Sequence, residues 1–383
     1  MSGSNLSTLT ASGDAHAIGR ALGEASAAAL RDIVPTIGRF QALMREWRGT
    51  ERLRALEAAA RSVWPQYVRE IEGLAHGAGV AFEMVFLWNC RGDLPESGCG
   101  APRGNAAGCT TVAVPPREGR PALVAHNEDD APELHGHCRI VDVRPDDGPG
   151  FVSFYSPGLL PGHAFAVNRA GLVQAVNDLR PEDCAIGGAI GGAIGVPRHL
   201  VCRAVLDCEG LDAALACIRD PDRASGFHHT LARAGDRRLL SVEAPASGCE
   251  VVEVDAPCAH ANHLLHERFA PVPQTIAASS RSRQARADAL IAGGALDHGD
   301  PLCVLGDVGG CLPIRRREKD CGDAGFTLAT AVFRVAEGGV DYEVFDEIMH
   351  PPVHRGELRV EPGPVRGWSG ADPRPIQGRS KAC

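Results

Sequence analysis

Apolar positions recur at helical spacing through the first part of the chain. Residues 14–37 and 51–79 are rich in Ala, Leu, Glu and Arg, which predicts helices, with Gly77 and Gly79 as stop signals. Residues 82–90 form a further short apolar segment, read as helical. Residues 98–108 (Gly-Cys-Gly-Ala-Pro-Arg-Gly-Asn-Ala-Ala-Gly) have nothing to pack and predict an exposed, flexible loop. Past that loop the period switches to two. Residues 110–114 and 122–125 read as strands around a turn at 115–120, followed by strands at 139–143, 151–155, 163–167 and 172–176. A helix is expected over 197–218, with Pro197 near its first turn. Strands resume at 229–233, 239–243 and 250–254, a helix at 282–291, and a last hairpin at 326–334 and 342–345. The tail from Pro351 is rich in Pro, Gly and Arg and reads as an irregular strap or disordered segment.

This order predicts an α+β fold, with largely antiparallel strands covered by helices. With 383 residues, 44% of them hydrophobic, the chain can bury a large core, and no domain linker is visible after residue 109. The net charge of -9 argues against nucleic acid as a partner, because phosphate binding needs a clustered basic face. The run Arg315-Arg316-Arg317 is followed at once by Glu318, Lys319 and Asp320, so a solvated turn accounts for it as well as an anion site does. No window approaches the ~20 apolar residues of a membrane span. Residues 1–13 lack the basic and apolar regions of a secretory signal. Fourteen scattered cysteines without a CxxC pair match no zinc pattern, so free thiols in a reducing cytoplasm, with no metal and no cofactor, are expected. His260 and His263 flank Asn262, but no third ligand accompanies them. Residues 186–195 repeat Gly-Gly-Ala-Ile but lack the Lys-Ser/Thr of a phosphate loop, which favours a loop beside a pocket.

The string Gly108-Cys109-Thr110-Thr111 sets a cysteine where the glycine-rich loop enters a strand. In an intact chain Cys109 is a small residue that needs a neighbouring base, such as His126 or His263, to become reactive. If the Gly108–Cys109 bond is cut, Cys109 gains an α-amine with an unperturbed pKa near ~8, and nucleophile and base share one residue. Gly108, lacking a Cβ, would let the scissile carbonyl take up a strained geometry.

From about residue 100 to 345 the chain resembles the acyl-coenzyme A:6-aminopenicillanate acyltransferase family, a branch of the N-terminal-nucleophile hydrolases related to choloylglycine hydrolases. The resemblance is carried by Gly108-Cys109-Thr110-Thr111, then His126-Asn127-Glu128-Asp129, then Asn168-Arg169-Ala170-Gly171-Leu172 with Asn177. It continues through Gly195-Val196-Pro197 and Arg203, His260-Ala261-Asn262-His263, Arg283 and Arg286, Ile314 and Arg316, and Gly325 with Thr327-Leu328. It implies a four-layer αββα fold on two stacked antiparallel sheets. It also implies self-cleavage into a helical α-chain, residues 1–108, and a β-chain beginning at Cys109. The β-chain core would span 109–350 and the tail 351–383, all within one intertwined globular domain that is expected to form homo-oligomers. By position, Cys109 would be the nucleophile, Asn262 the donor to the oxyanion, and Asp129 the partner of the new α-amine. Thr110, Asn127, Glu128, Asn177, Arg316 and Thr327 would support the nucleophile or bind substrate.

Two departures shape the expected substrate. Asp323-Ala324-Gly325 stands where the family has Ser-Arg-Gly, and Glu128 stands where an aromatic is usual. Penicillin chemistry is therefore not expected. The pocket would be acidic, and Glu128, Asp130 and Glu133 would attract a cationic or amine-bearing molecule. The leading function is hydrolysis of a linear amide, an N-acyl or aminoacyl bond in a small metabolite, through a thioester. An acyltransferase passing the acyl group to an amine stands beside it. An uncleaved Cys–His thiol hydrolase and a non-catalytic binding protein of the same fold complete the alternatives.

Overall fold

The computed structural model describes residues 6–94, 108–182, 194–317, 325–348 and 350–360. The loop expected at 98–107, most of the Gly-Gly-Ala-Ile repeat, Glu318 to Ala324 and the tail beyond 360 lie outside the described residues.

Two sheets carry the chain. The first has eight strands in the order β1-β4-β5-β6-β7-β8-β9-β10. They are β1 (Ser7–Gly13), β4 (Arg139–Pro145), β5 (Phe151–Tyr155), β6 (Phe165–Asn168), β7 (Leu172–Asp178), β8 (Phe227–Arg233), β9 (Leu239–Ala244) and β10 (Glu250–Glu253). The second has six strands in the order β11-β2-β3-β12-β13-β14. They are β11 (Cys258–His260), β2 (Thr110–Val114), β3 (Ala122–Asp130), β12 (Phe326–Ala336), β13 (Gly339–Phe345) and β14 (His354–Arg359). Pairing is antiparallel throughout except that β1 lies parallel to β4.

Strand alternation explains why the sheets stack. Ala113, Val124, Phe165, Val167, Ala331 and Phe333 meet between the two sheets in one apolar core. The opposite faces are covered by helices. Helices α1 (Ala15–Ala25), α2 (Gly38–Trp47), α3 (Glu51–Val63), α4 (Pro65–Ala78) and α5 (Phe82–Asn89) pack on the β1–β6 part of the first sheet. Helices α6 (Arg198–Val205) and α7 (Leu211–Arg219) cover β7 to β9. Helices α8 (Ala278–Ala292) and α9 (Leu302–Leu305) cover the second sheet through Val112, Ala125, Ala287, Val304 and Val332. The result is the expected four-layer αββα sandwich.

Several boundaries differ from the sequence pattern, each for a local reason. The helix expected over 14–37 ends at Ala25 and gives way to short turns of helix that take Pro35 in their second half. The 51–79 helix divides at Trp64, because Pro65 cannot donate into a continuing helix and instead opens α4. The 197–218 helix divides at Gly210. Three strands lie outside the sequence pattern, the three-residue β11 among them. β1 occupies a stretch whose small polar residues hide its partly exposed alternation, and β14 extends the second sheet into what the composition marks as an irregular tail.

Helices α1 and α4 touch backbone to backbone. A Cβ on Gly19 would stand 1.9 Å from the Glu70 carbonyl oxygen, on Gly23 2.2 Å from that of Leu74, on Gly73 2.2 Å from that of His16, and on Gly77 2.1 Å from that of Arg20. The four glycines thus fit reciprocally, two from each helix. Gly73→Ala is expected to force the helices apart and cost ~1–3 kcal/mol, read as a lowered urea midpoint with an unchanged slope.

Candidate active site

The start of β2 fixes Cys109 at one end of the sandwich. Counting back by twos from Ala113, which faces the inter-sheet core, places Thr111 and then Cys109 on that inner face. On β3 the same count runs from Val124 to His126 and Glu128. On the first sheet it runs from Val173 and Ala175 to Asn177 on β7, and from Ala232 back to Thr230 and His228 on β8. Register then aligns them: Thr111 opposes His126 and Asn177 opposes His228. At this end the apolar core is replaced by a buried polar network.

That network starts at the thiol. Cys109 Sγ donates to Glu128 Oε2 at 3.1 Å, and Glu128 Oε2 lies 3.3 Å from His126 Nε2. His126 Nδ1 is 2.8 Å from Thr111 Oγ1, which donates to Asn177 Oδ1 at 2.7 Å. Asn177 Nδ2 in turn donates to the His260 carbonyl at 3.1 Å. Burial, with the nearby Glu128 and Asp129 carboxyls, holds the Cys109 thiol well above its usual range. Burial and Asp130 likewise hold Glu128 well above the usual carboxylate range, while burial drives His126 down to about 3. The thiol and the imidazole are therefore neutral in the intact chain.

Two arginines secure the backbone around the thiol. Arg283, on α8 and 1% exposed, donates to the Cys109 carbonyl, to Thr110 Oγ1 at 2.8 Å and to Asn262 Oδ1 at 2.7 Å. Arg316 donates to the Gly108 carbonyl at 2.9 Å and to Asp129 Oδ2 at 2.9 Å. Arg316 is itself held by Thr327, which exchanges two backbone-directed hydrogen bonds with it, and reaches Ser279 Oγ at 3.2 Å. Asn127 points the other way, donating to the Leu305 carbonyl at 2.9 Å and accepting from Thr330, so it ties β3 to β12 and α9 rather than facing the thiol. Gly108 is required for space. A Cβ there would stand 2.2 Å from Asn262 Oδ1 and 2.6 Å from Arg283 Nη2. Gly108 is not among the glycines with positive φ, so the expected backbone strain is not the reason.

A small cleft, partly open to solvent, reaches Cys109. Its wall is amphoteric. Asp130 is paired with Arg91 at 2.8 Å, and Asp178 with both Arg198 and Arg180. Burial alone would raise Asp178, but Arg198, Arg180 and Arg39 bring it to about 2. Glu133 is exposed and does not line the cleft. The freely acidic pocket expected from the sequence is thus a set of carboxylates interleaved with Arg39, Arg91 and Arg198.

With Cys109, the donors to the neighbouring carbonyls and the cleft in place, the family can be assigned. Residues 116–347, more than half of the chain, match the family described as acyl-coenzyme A:6-aminopenicillanic acid acyl-transferase. The chain belongs to this family. The chain is accordingly an enzyme of amide hydrolysis or of acyl transfer. Among its relatives, a β-alanyl-dopamine/carcinine hydrolase from Drosophila melanogaster is 27% identical over 301 residues, which cover 70% of this chain and 74% of that protein. A solved structure of a mutant conjugated bile acid hydrolase from Clostridium perfringens aligns with 66% of this chain and 92% of its own, at 11% identity and a TM-score of 0.43.

The structure thus gathers Gly108, Cys109, Thr110, Glu128, Asp129, Asn262 and Arg316 around one carbonyl and one thiol, with Asn177 behind them. Asn127 and Thr327 act one layer further out. His263 is bound to Ser280 Oγ at 2.8 Å and does not approach the thiol, and His126 reaches it only through Glu128. His260 binds Glu243 at 2.9 Å, so the His260/His263 pair converges on no common point. Among the described residues only Cys109, His126 and Glu128 bring three metal-type donor atoms within 4.8 Å of one another. Sequence reasoning does not single out Arg91, Asp178, Arg198 or His228. For His228 and Asp178 the available signal is polarity at one end of an otherwise apolar strand; Arg91 and Arg198 give none.

Removing Arg283 leaves buried acceptors without donors, at ~1–3 kcal/mol each. Arg283→Met is expected to lower stability by at least ~2 kcal/mol in urea unfolding. Arg286→Met, removing an exposed pair with Asp307, should leave the urea midpoint nearly unchanged.

Proposed function

We propose that this chain is the precursor of a cysteine amide hydrolase, which cuts its own Gly108–Cys109 bond and then cleaves a linear amide through a thioester on Cys109. The observation that carries this reading is the treatment of the peptide unit before the nucleophile. Its carbonyl oxygen accepts from Arg316 at 2.9 Å, its Cα is closed in by Asn262, and the Cys109 thiol sits on the same buried network. A structural cysteine needs none of these.

The cut gives Cys109 an α-amine beside its own thiol. Asp129 supports that role, because its Oδ1 is buried without a partner among the described residues while Oδ2 is held by Arg316. The amine takes the thiol proton as sulfur attacks the substrate carbonyl, and gives it to the leaving amine. Asn262 supports the developing oxyanion. Its oxygen is fixed by Arg283, and one N–H of its amide is engaged at the Asp178 carbonyl at 3.1 Å, which leaves the second to donate.

For the substrate, we infer a short amide whose acyl part carries an ammonium, of which the β-alanyl amides named for the Drosophila relative are the first to try. The alternating carboxylates and arginines of the cleft suit such a polar, compact group better than a long apolar chain. Water is the acceptor under this reading, and passage of the acyl group to an added amine is the second reading. The ten cysteines free among the described residues, Cys109 included, support work in the reducing cytoplasm. No helix among the described residues is long and apolar enough to cross a membrane.

Intact mass of freshly purified protein should show two fragments meeting at 108/109, and one full-length chain for Cys109→Ala and Gly108→Val. A full-length mass from fully active wild-type protein would end this reading. In cut enzyme, Asn262→Ala should lose ~10²–10³ in kcat on a β-alanyl amide with little change in KM.

A further inference from the structure

The intact chain faces a difficulty that the cut enzyme does not. Before cleavage the nitrogen of Cys109 is an amide and offers no base. The thiol, held well above its ordinary range, must lose its proton to another group as it attacks the Gly108 carbonyl.

The hydrogen-bond directions identify that group. Asn177 Nδ2 donates to the His260 carbonyl, so its Oδ1 is the atom facing Thr111, whose hydroxyl donates to it. Thr111 Oγ1 has then used its only proton and must accept from His126 Nδ1. His126, neutral in this burial, therefore carries its proton on Nδ1 and turns a bare Nε2 lone pair to Glu128 Oε2, 3.3 Å away. A carboxylate there would set acceptor against acceptor. A protonated Glu128 resolves this, donating from Oε2 to Nε2 and accepting from Cys109 Sγ at 3.1 Å.

We propose that Glu128 and His126 form a proton relay that activates the Cys109 thiol for self-cleavage of the intact chain, a role that passes to the α-amine once the bond is cut. The inference rests on the cleavage reading above. As Sγ bonds to the Gly108 carbonyl carbon, its proton passes to Glu128 Oε2 and the Glu128 proton passes to His126 Nε2. Arg316 donates to the oxygen that gains charge. When the Gly108 C–N bond breaks, the proton returns along the same path and ends on the departing Cys109 nitrogen, leaving Gly108 joined to Sγ as a thioester. Water then cleaves the thioester to the Gly108 carboxylic acid and the free thiol. Glu128 touches the reacting sulfur and is a catalytic residue of this step. His126 acts through Glu128, and Thr111 and Asn177 set its tautomer; these three are positioning residues.

The test follows cleavage of newly made chain in cell-free synthesis by intact mass over time. Glu128→Gln and His126→Gln should slow cleavage ~10²-fold or more, the ordinary worth of a positioned base. Thr111→Val should slow it and Thr111→Ser restore it. The pH profile separates a relay from a merely structural role. A solvated imidazole base would lose its lone pair as pH falls through ~6.5. His126, with a folded pKa of about 3, keeps it far lower, so the rate should not fall as pH drops from about 7 to 5. Among the described residues, the charged and titratable groups facing the relay are Asp129, Asp130, Arg91, Arg283, Cys138, His163 and His228. Thermal unfolding of each uncut variant shows whether it is folded. If Glu128→Gln does not fold, His126→Gln and Thr111→Val decide. Folded variants that cleave within twofold of wild type overturn the relay while leaving the cleavage reading intact. Wild-type chain that never cleaves overturns both.

Discussion

A guanidinium taken out of water must be given acceptors for its N–H groups, and Arg283 finds them on the segments that meet at Cys109. From α8 it reaches the Cys109 carbonyl and the Thr110 hydroxyl on one side and the Asn262 amide oxygen on the other. A single side chain thereby sets the distance between the start of β2 and the loop after β11. Neither end can drift without exposing an unmet charge to an apolar surrounding, which makes this contact stiffer than packing alone would make it. The cleft, the Cys109 thiol and the Asn262 amide inherit their relative positions from it.

The sandwich tolerates so polar an end because strand periodicity delivers complete hydrogen-bonding chains rather than isolated groups. Thr111 faces His126 across β2 and β3, Asn177 faces His228 across β7 and β8, and the two pairs join between the sheets. His228 continues the chain to Ser241 at 2.9 Å. Each donor along this path has one acceptor, so burial that would penalise a lone group is offset by its neighbour. One such chain crosses from sheet to sheet, and it locks their registry at the Cys109 end while Phe165, Phe333 and their neighbours fill the other.

Much of this was legible in the residues. The switch from helical to two-residue period after Gly108 located the strand that Cys109 opens onto. The family motifs brought together Cys109, Asp129, Asn262 and Arg316 although up to 207 positions separate them, from 109 to 316. Other features were not legible for definite reasons. Glu128, Asp130 and Glu133 read as an acidic patch because a sequence does not show that Arg91, 39 positions earlier, neutralises Asp130. Asn127 looks like a site residue by its neighbours, yet its odd place in the alternation sends it to the helix layer. The role of Gly108 is steric and depends on Asn262 and Arg283, which no local reading brings near it. β1 is seven residues of mostly small polar character whose pairing exists only in three dimensions.

That first strand has a further effect. β1 gives the leading segment a full row of ladder bonds to β4, and the glycine contacts of α1 with α4 close behind it. While 108 and 109 are joined, the strand returns to its slot by a unimolecular search. Were the joint severed as proposed, the same slot would have to be found by a separate molecule, and reassembly would become second order and dilution-sensitive. An enzyme processed this way forfeits easy recovery from denaturation. Its working lifetime is set by how slowly the two pieces part, a matter of activation barriers instead of equilibrium.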